Sequence, residues 1–468
     1  MSLQQILNEG GLMIVESPTK AREITKFLPS NGKWKVLPTV GFMFELMPTK
    51  QIPESKKDHY GRYSVRVDDL SFDRLLTHDP QNRKNYTEIK KLVDSGKYKH
   101  FYVSTDPDEA GELIGEEVVD HLAPNLRKSG MDVRRASWHE ITKKAVEEGL
   151  SNWGDIDRAK ADSAEARQIY DRLFGFSVSQ YLWKTNAGKS GGRAQSPCLR
   201  LIVDREKERM AFIKANYSSI HANFTVDGEQ VEATLTKWDG QPIATGADFD
   251  PQGNLKSDKK LILNEDNIDG IRGELNSMGF IVADVKEKPY TRNPPAPFTT
   301  SSFQQSVGTK LGLSSKRAMQ LAQFGFEHAD ITYLRTDSPM MAPEAVEVVR
   351  QIIQRDYKGM MPVKPRVYKP KSKNAQEGHE CIRPVVDEDS GMMLTPNEVK
   401  RKHSHDSNMD AKYPVMYDLI YRRSIASQMD AATGVTKTII IKSTDGKAEF
   451  SASSTRIDYP GFLSVYED

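Results

Sequence analysis

A tyrosine, an arginine and an aspartate alternate with other residues in the run from Asp330 to Pro339. If this run is extended, side chains two positions apart point the same way, so Tyr333, Arg335 and Asp337 would face one site. A phenol with an ordinary pKa near about 10 is a poor nucleophile at neutral pH, and a guanidinium beside it can hold a phosphate through paired hydrogen bonds. The spacing therefore predicts attack on a phosphodiester. The alternative is a strand that bears a tyrosine and surface charges.

Carboxylates follow two further segments that are typical of buried strands. Glu16 comes directly after the apolar run 11–15, and Asp106 and Asp108 follow the apolar run 101–104. Each run leads through a short loop into a helical pattern. Two such units of one parallel sheet would bring the three carboxylates to the carboxyl ends of the strands, where ligands bind in open α/β sheets. Oxygen ligands of this kind hold Mg²⁺, although an isolated Asp-x-Asp pair is common on protein surfaces.

Length and charge are those of a multidomain globular protein. The chain has 468 residues, which is enough for about three or more domains with sizeable cores. It carries 66 basic and 65 acidic residues, so a surface that binds nucleic acid would have to be local. The basic residues that could form such a surface are Lys184, Lys189, Arg193 and Arg200, and a solvated helix face is the alternative.

Cysteine usage and hydropathy exclude several classes of protein. Cys198 and Cys381 are far apart and cannot make a four-cysteine zinc site, and so low a count fits a reducing compartment. No apolar run approaches about 18 residues, so no membrane span is expected. Residues 1–10 lack the basic start and apolar core of a secretory signal.

The character of the sequence changes along the chain. Residues 11–40 and 66–150 alternate strand and helix patterns, which is typical of an α/β fold. Residues 155–215 read as helix-rich. Alternating polar and apolar residues predict strands in 218–235 and again in 436–451, and these two segments could form one β-rich unit.

Between the two strand-rich segments, residues 291–430 begin with prolines and then read as helical. The clearest helices are expected over Ser302–Leu311 and Pro343–Arg355. His403 and His405 lie in this region, and we expect them to face solvent rather than to bind a metal.

With these segments in this order, the chain resembles the type IA DNA topoisomerases from about Leu12 onward. Several of the matching segments are long and specific, so chance is a poor explanation. The segments that carry the resemblance are Glu16–Lys20, Thr105–Glu112, Trp138–Thr142, Asp171–Phe176, Leu182–Trp183, Gly192–Pro197, Pro294–Thr300, Ile331–Ser338 and Gln376–Pro384.

The resemblance implies a multidomain fold with α/β, helical and β-rich parts that form a torus. A Toprim α/β domain and a helical DNA-binding domain would make its base, and a β-rich arch would carry a helical domain with the catalytic tyrosine. The implied domains are 11–40 with 66–150 (Toprim), 41–65 with 151–216 (DNA-binding), 217–290 with 431–468 (arch) and 291–430 (tyrosine-bearing).

The resemblance also implies the chemistry. Tyr333 would attack a single-strand phosphodiester and form a 5′-phosphotyrosine, so resealing would need no ATP. Arg335 would stabilise charge on the phosphate, and Glu16 or Lys20 would handle the proton of the leaving group. The implied ligands of Mg²⁺ are Glu16, Asp106 and Asp108.

DNA, single-stranded or negatively supercoiled, is the implied partner of a monomeric, cytoplasmic enzyme, associated with the nucleoid if the source is bacterial. His379 would contact the DNA backbone near the scissile site, and a histidine that packs a helix is the alternative. The implied DNA-binding residues are Arg172, Arg193, Gln195, Ser196 and Asp337.

Three departures from the family pattern bear on these expectations. Glu109 and Ala110 replace the usual Arg-Glu between Asp108 and Gly111, which affects metal affinity more than the fold. Phe42 stands where the family commonly has histidine. The sequence stops at Asp468, before a stretch that normally completes the DNA-binding base, so we expect strand passage to be affected more than cleavage. The alternative functions are a single-strand DNA-binding module and a cleaving fragment that relaxes DNA poorly.

Overall fold

The computed structural model describes residues 2–60, 63–226, 228–369, 380–387, 390–406 and 409–467. These residues form two compact units, which are described separately below. The first consists of Met1–Arg193 and Pro295–Met429, and the second of Ala194–Pro294 and Asp430–Glu467. The finer division into four domains stays a prediction.

Helices and strands follow one another along the chain as the sequence patterns predict. The helices are α1 (Leu3–Glu9), α2 (Pro18–Phe27), α3 (Glu54–Tyr60), α4 (Pro80–Asp94), α5 (Glu109–Ser129), α6 (Lys143–Ser151), α7 (Arg158–Lys184), α8 (Gln195–Ala211), α9 (Ile268–Asn276), α10 (Thr300–Leu311), α11 (Ser315–Glu327), α12 (Pro343–Asp356), α13 (Pro396–Lys402) and α14 (Tyr413–Ser427). The strands are β1 (Gly11–Val15), β2 (Trp34–Pro38), β3 (Phe44–Leu46), β4 (Arg74–Leu76), β5 (His100–Val103), β6 (Asp132–Arg135), β7 (His221–Val226), β8 (Glu229–Trp238), β9 (Gln241–Pro242), β10 (Phe280–Arg292), β11 (Ala432–Ser443) and β12 (Ala448–Tyr459).

The first unit is built on a four-stranded parallel sheet in the order β2-β1-β5-β6. Every residue of β1 and β5 is buried, as expected for inner strands of a parallel sheet that is covered on both faces. Leu12, Ile14, Phe101 and Val103 form its core together with Val118 of α5. Because both inner strands run in the same direction, the loops that follow them meet at one edge of the sheet.

Sequence-encoded caps start the two helices that leave this edge. Ser17 accepts a hydrogen bond from the backbone N–H of Lys20 and Pro18 occupies the first position of α2, which is a favourable start for a helix. Asp108 caps α5 in the same way, through the backbone N–H of Gly111.

The helices of residues 300–427 hold a segment of irregular backbone in the same unit. Residues 332–339 lie outside every helix and strand, and the segment is fixed by single hydrogen bonds. Thr332 Oγ1 donates to the carbonyl of Cys381 at 2.7 Å, and the side chain of Thr300 bonds to the backbone on both sides of Arg335. The expectation of helices over Ser302–Leu311 and Pro343–Arg355 is confirmed.

The prediction that His403 faces solvent is wrong, whereas His405 is exposed as expected. The sequence around His403 is polar and charged and gives no sign of burial. His403 directly follows the last residue of α13, however, and its ring lies against the rings of Phe324 and Tyr413.

The second unit contains an antiparallel sheet in the order β10-β11-β12-β8-β7, with β9 paired to β8. It brings together the two separated strand-rich segments that the sequence predicted. Its core includes Phe450, Phe224 and Phe280, whose rings meet edge to face with centroids 5.1–5.7 Å apart. One of these aromatic contacts, between Phe224 and Phe450, joins strands that are more than 200 residues apart in sequence.

We expect Phe450→Ala to lower the free energy of unfolding by about 3–5 kcal/mol, because it leaves a cavity between two other rings. Urea denaturation followed by circular dichroism measures the change. The matched control is Phe212→Ala, since Phe212 belongs to the same unit and is 55% exposed. The control should change stability by less than about 0.5 kcal/mol. Equal effects of the two substitutions would contradict the assigned core.

Candidate active site

The three carboxylates predicted from the sequence meet at the carboxyl edge of the parallel sheet. Glu16 follows β1, and Asp106 and Asp108 lie in the loop between β5 and α5. The backbone N–H of Asp106 donates to Oε1 of Glu16 at 3.0 Å. Lys20, buried in the first turn of α2, donates from Nζ to Oδ1 of Asp106 at 2.5 Å. The predicted group of acidic residues is therefore one site, and the buried ammonium group of Lys20 lies beside it.

Backbone packing fixes the loop that carries the two aspartates. Oδ1 of Asp108 accepts the backbone N–H of Gly111 at 2.7 Å and so starts α5. A Cβ atom on Gly111 would lie 2.1 Å from the carbonyl oxygen of Asp106, so only glycine fits at this position. The glycine of the Asp-x-Asp-x-x-Gly pattern is thus required because the backbone of Asp106 passes close to Gly111.

A buried ion pair supports the same loop, and sequence reasoning missed it. Nε of Arg135, at the end of β6, donates to Glu112 at 3.0 Å, and its other nitrogens donate to the carbonyls of Thr105 and Asp106 at 2.9 and 2.8 Å. A charged residue at the end of a short strand was the only signal in the sequence. The pair holds the carbonyl groups of the loop, so the aspartate side chains project from a braced backbone.

The tyrosine lies directly against this acidic group. Tyr333 is buried, and its Oη donates to Oδ2 of Asp108 at 2.5 Å. Its backbone N–H donates to the carbonyl of His139 at 3.0 Å, and its ring packs against Phe326. Nη1 of Arg335 lies 3.3 Å from the same Asp108 oxygen. The structure brings the two motif groups together, although they are more than 200 residues apart in sequence.

Partly buried carboxyl groups dominate the electrostatics of the site. Burial, followed by the negative charge of Asp106, raises the pKa of Glu16 to about 8. Burial also raises the pKa of the Tyr333 phenol far above its ordinary value, and the neighbouring Asp108 and Asp106 raise it further. The phenol is therefore neutral in this state, and an added positive charge would favour its ionisation.

The donor set fits a hard divalent cation. All three carboxylates offer oxygen atoms, and no sulfur or imidazole nitrogen among the described residues accompanies them in the hydrogen-bonded group of Glu16, Asp106 and Asp108. Burial and, after it, the charge of Asp106 raise the pKa of Glu16, and a bound cation would favour its carboxylate form instead. Glu109 is turned away from the group, because its carboxylate binds Arg167 and Ser163 of α7.

A second buried arginine connects two of the motifs that carried the family resemblance. Arg383 donates from Nη2 to Oε2 of Glu140 at 2.9 Å and from Nε to Oε2 of Glu380 at 2.7 Å. The sequence marked both segments but did not show that they pair. His379, the predicted backbone contact, lies outside the described residues.

Three of the predicted DNA-binding residues, Arg172, Arg193 and Asp337, belong to the first unit, and none of them bonds to Tyr333 or to the three carboxylates in the described contacts. Arg193 pairs with Asp171 at 3.0 Å, and Arg172 stacks over the ring of Phe176. The others differ in exposure: Gln195 and Asp337 are exposed, and Ser196 is partly buried. The spacing of the tyrosine segment predicted that Tyr333, Arg335 and Asp337 face one site. Among the described contacts, Tyr333 and Arg335 bond to Asp108, and Asp337 does not.

The fold and this edge define a Toprim-type α/β domain that is joined to a tyrosine-bearing helical region. Residues 11–141 match the Toprim domain family, and residues 155–468 match the DNA topoisomerase family. The second match covers more than half of the chain. The chain therefore belongs to the type IA DNA topoisomerases, and the resemblance and the fold class predicted from its motifs are confirmed. Membership also indicates a divalent metal requirement.

Individual relatives agree with this assignment. DNA topoisomerase 1 of Mycolicibacterium smegmatis is 37% identical over 97% of this chain, and that of Synechococcus elongatus is 36% identical over 97%. The chain spans about half the length of these relatives, 48% and 50% respectively. The structure of full-length topoisomerase I from Thermotoga maritima matches with a TM-score of 0.73 and 26% identity, covering 98% of this chain and 67% of that one. Among the described residues, no helix is both long and apolar enough to cross a membrane.

The pKa of Glu16 generates a prediction about stability in metal-free buffer with a chelator. Its folded value of about 8 exceeds the ordinary 4.5, so the folded state keeps a proton that the unfolded chain releases. Stability from this proton is complete below about pH 4.5 and is lost as the pH rises through about 8. Glu16→Gln should therefore be more stable than the parent chain at pH 9, and the difference should shrink toward pH 5.

Thermal unfolding across this pH range measures the difference. The control is Glu54→Gln, because Glu54 has an exposed side chain. Parallel stability curves for the parent chain and Glu16→Gln would contradict the assignment of a raised pKa to Glu16.

Proposed function

We propose that this chain cleaves and reseals one strand of DNA through a 5′-phosphotyrosine on Tyr333. The observation that carries the proposal is the 2.5 Å hydrogen bond from the phenol to Asp108 of the Toprim edge, with Arg335 beside the same carboxylate. This arrangement holds a nucleophile, a proton acceptor and a phosphate-binding cation within one site. Strand passage, and hence relaxation of supercoiled DNA, is proposed for the whole protein to which this sequence corresponds.

Cleavage is an exchange of one phosphorus–oxygen bond for another. The phenol oxygen of Tyr333 bonds to phosphorus while the bond to the 3′ oxygen breaks, and the ester on the enzyme preserves the linkage for resealing without ATP. Asp108 is the group within hydrogen-bond distance of the phenolic proton. Glu16, with a pKa of about 8, holds a proton at neutral pH that it can give to the departing 3′ oxygen. Lys20 is the other candidate donor.

The cations of the site would stabilise the negative charge that develops on the phosphate. Arg335 can transfer its hydrogen bonds from Asp108 to the non-bridging oxygens of the phosphate, where negative charge develops. Lys20 holds Asp106 in place. Mg²⁺ would be held by Asp106 and Asp108, and by Glu16 once Glu16 has given up its proton. It would neutralise phosphate charge and help to position the 3′ hydroxyl for resealing.

The expected partner is DNA, single-stranded or negatively supercoiled, and the expected state is a monomer in the cytoplasm. Arg172, Arg193, Gln195, Ser196 and Asp337 are proposed to contact the DNA, together with His379. Family membership supports DNA as the partner. The alternative function is a non-catalytic module that binds single-stranded DNA. That alternative does not explain the hydrogen bond between Tyr333 and Asp108.

Replacing Tyr333 with phenylalanine should abolish the covalent DNA adduct and leave single-strand binding within about twofold. Only the phenol oxygen is lost, and phosphate contacts and base stacking are retained. A denaturing gel with a labelled oligonucleotide reports the adduct, and fluorescence anisotropy reports binding. Tyr181→Phe is the matched control, since Tyr181 is 66% exposed. An adduct at the parent level in Tyr333→Phe would overturn the assignment of the nucleophile.

Replacing both Asp106 and Asp108 with alanine should impair resealing more than cleavage. The double variant removes two of the three proposed metal ligands, so the broken ends lose the cation that aligns them. Cleavage should also slow, because the phenol loses its hydrogen-bond acceptor Asp108, but it should slow less than resealing. Resealing is measured by adding salt to preformed adduct in buffers with and without Mg²⁺. Asp120→Ala, at an exposed position of α5, is the control for an altered helix surface. An unchanged dependence on Mg²⁺ in the double variant would show that the metal binds elsewhere.

A further inference from the structure

Two histidines and an aspartate meet away from the acidic edge, on the helical part of the first unit. Their ligating atoms, one each from His328, His403 and Asp406, all lie within 4.8 Å of one another. Nε2 of His328 is 3.4 Å from Oδ2 of Asp406, and the two imidazole rings are nearly perpendicular with centroids 5.2 Å apart. His403 is buried, and His328 and Asp406 are only partly exposed.

One nitrogen of each ring already lies within hydrogen-bond distance of an acceptor. Nδ1 of His328 lies 2.8 Å from the carbonyl of Phe324, and Nε2 of His403 lies 2.6 Å from Oδ2 of Asp330. A proton on each of these nitrogens leaves the opposite nitrogen with its lone pair, which is Nε2 in His328 and Nδ1 in His403. Metal-ligating histidines are oriented in this way, by a backbone carbonyl or a carboxylate on the second nitrogen.

The surrounding backbone favours a cation at the same point. His328 ends α11 and His403 ends α13, so two helix C-termini converge on the cluster. The last carbonyl groups of a helix carry partial negative charge, which stabilises a nearby cation. The aspartates at positions 330 and 406 add two carboxylates to this environment.

We propose that His328, His403 and Asp406 form a binding site for a divalent transition metal of the Zn²⁺ class, separate from the Toprim edge. Two imidazole nitrogens and one carboxylate oxygen suit Zn²⁺, whereas the all-oxygen Toprim group suits Mg²⁺. Bonds of about 2.0–2.1 Å in tetrahedral geometry separate two ligand atoms by about 3.4 Å. The distance between His328 and Asp406 already meets this requirement. Solvent supplies the fourth ligand.

The metal would brace the segment that presents the catalytic tyrosine. Asp330, which orients His403, also accepts hydrogen bonds from Lys402 and Tyr413 at 2.7 and 2.6 Å. It stands three residues before Tyr333. A metal bound to His403 therefore ties α11, α13 and the start of the tyrosine segment to one point, and its role is positional.

The test measures zinc bound to the intact chain in excess Mg²⁺, which keeps the Toprim carboxylates occupied. After equilibration with Zn²⁺ and gel filtration, elemental mass spectrometry should find one zinc per chain. His328→Gln and Asp406→Asn should each weaken zinc binding more than about tenfold, because even an outer partner of a metal ligand is worth about 10–100-fold. Substitution by Co²⁺ should give visible d–d bands that both variants lose.

The control variant is His405→Gln, two residues from His403 and exposed, which should keep the zinc and the Co²⁺ spectrum. Circular dichroism checks that each variant folds. If His328→Gln does not fold, the zinc-binding test uses Asp406→Asn alone. Zinc bound equally by the parent chain and both ligand variants, or zinc bound by none of them, would overturn the proposal. In that case the cluster is an ion pair between His328 and Asp406. Neither result depends on DNA cleavage, so the proposed function stands or falls separately.

Discussion

The hydrogen bond between Tyr333 and Asp108 is the interaction on which the rest of the site depends. One oxygen of this carboxylate starts α5 and the other holds the phenol and Arg335. The position of the tyrosine, the start of the helix and the charge available to a metal are therefore coupled through one side chain. Any ligand that draws Asp108 toward itself must loosen its bond to the phenol, so metal, phosphate and tyrosine compete for the same group.

Burial makes this competition energetically important. Burial is the main cause that raises the pKa of both the Glu16 carboxyl and the Tyr333 phenol, and neighbouring aspartates raise both pKa values further. Lys20 binds Asp106 and offsets part of this negative charge, and a bound divalent cation would offset more of it. In this state the Tyr333 phenol keeps its proton, so the electrostatics of the site hold it in its less nucleophilic form.

Local signals explain which parts of this arrangement could be predicted from the sequence. Buried strands appear as short apolar runs, so the edge that carries Glu16 and Asp106 followed from the pattern. The pairing of Arg383 with Glu140 did not, because the partners are 243 residues apart and no periodicity links them. The run around Tyr333, which the sequence pattern treated as extended, belongs to no strand of the structure. Individual side-chain hydrogen bonds hold it instead. The burial of His403 was missed because its neighbours in sequence are charged, while its neighbours in space are aromatic.

Two aspartates hold the start of the tyrosine segment. Asp330 anchors its start through Lys402, His403 and Tyr413, and Asp108 receives the phenol three residues later. The first anchor lies within the helical region that carries the tyrosine, and the second belongs to the Toprim sheet. Release of the phenol from Asp108 would therefore leave the segment still attached to its own helices. A metal at His328 and His403 would stiffen only the contact through Asp330. It would therefore help the phenol to return to the same position each time its hydrogen bond to Asp108 breaks.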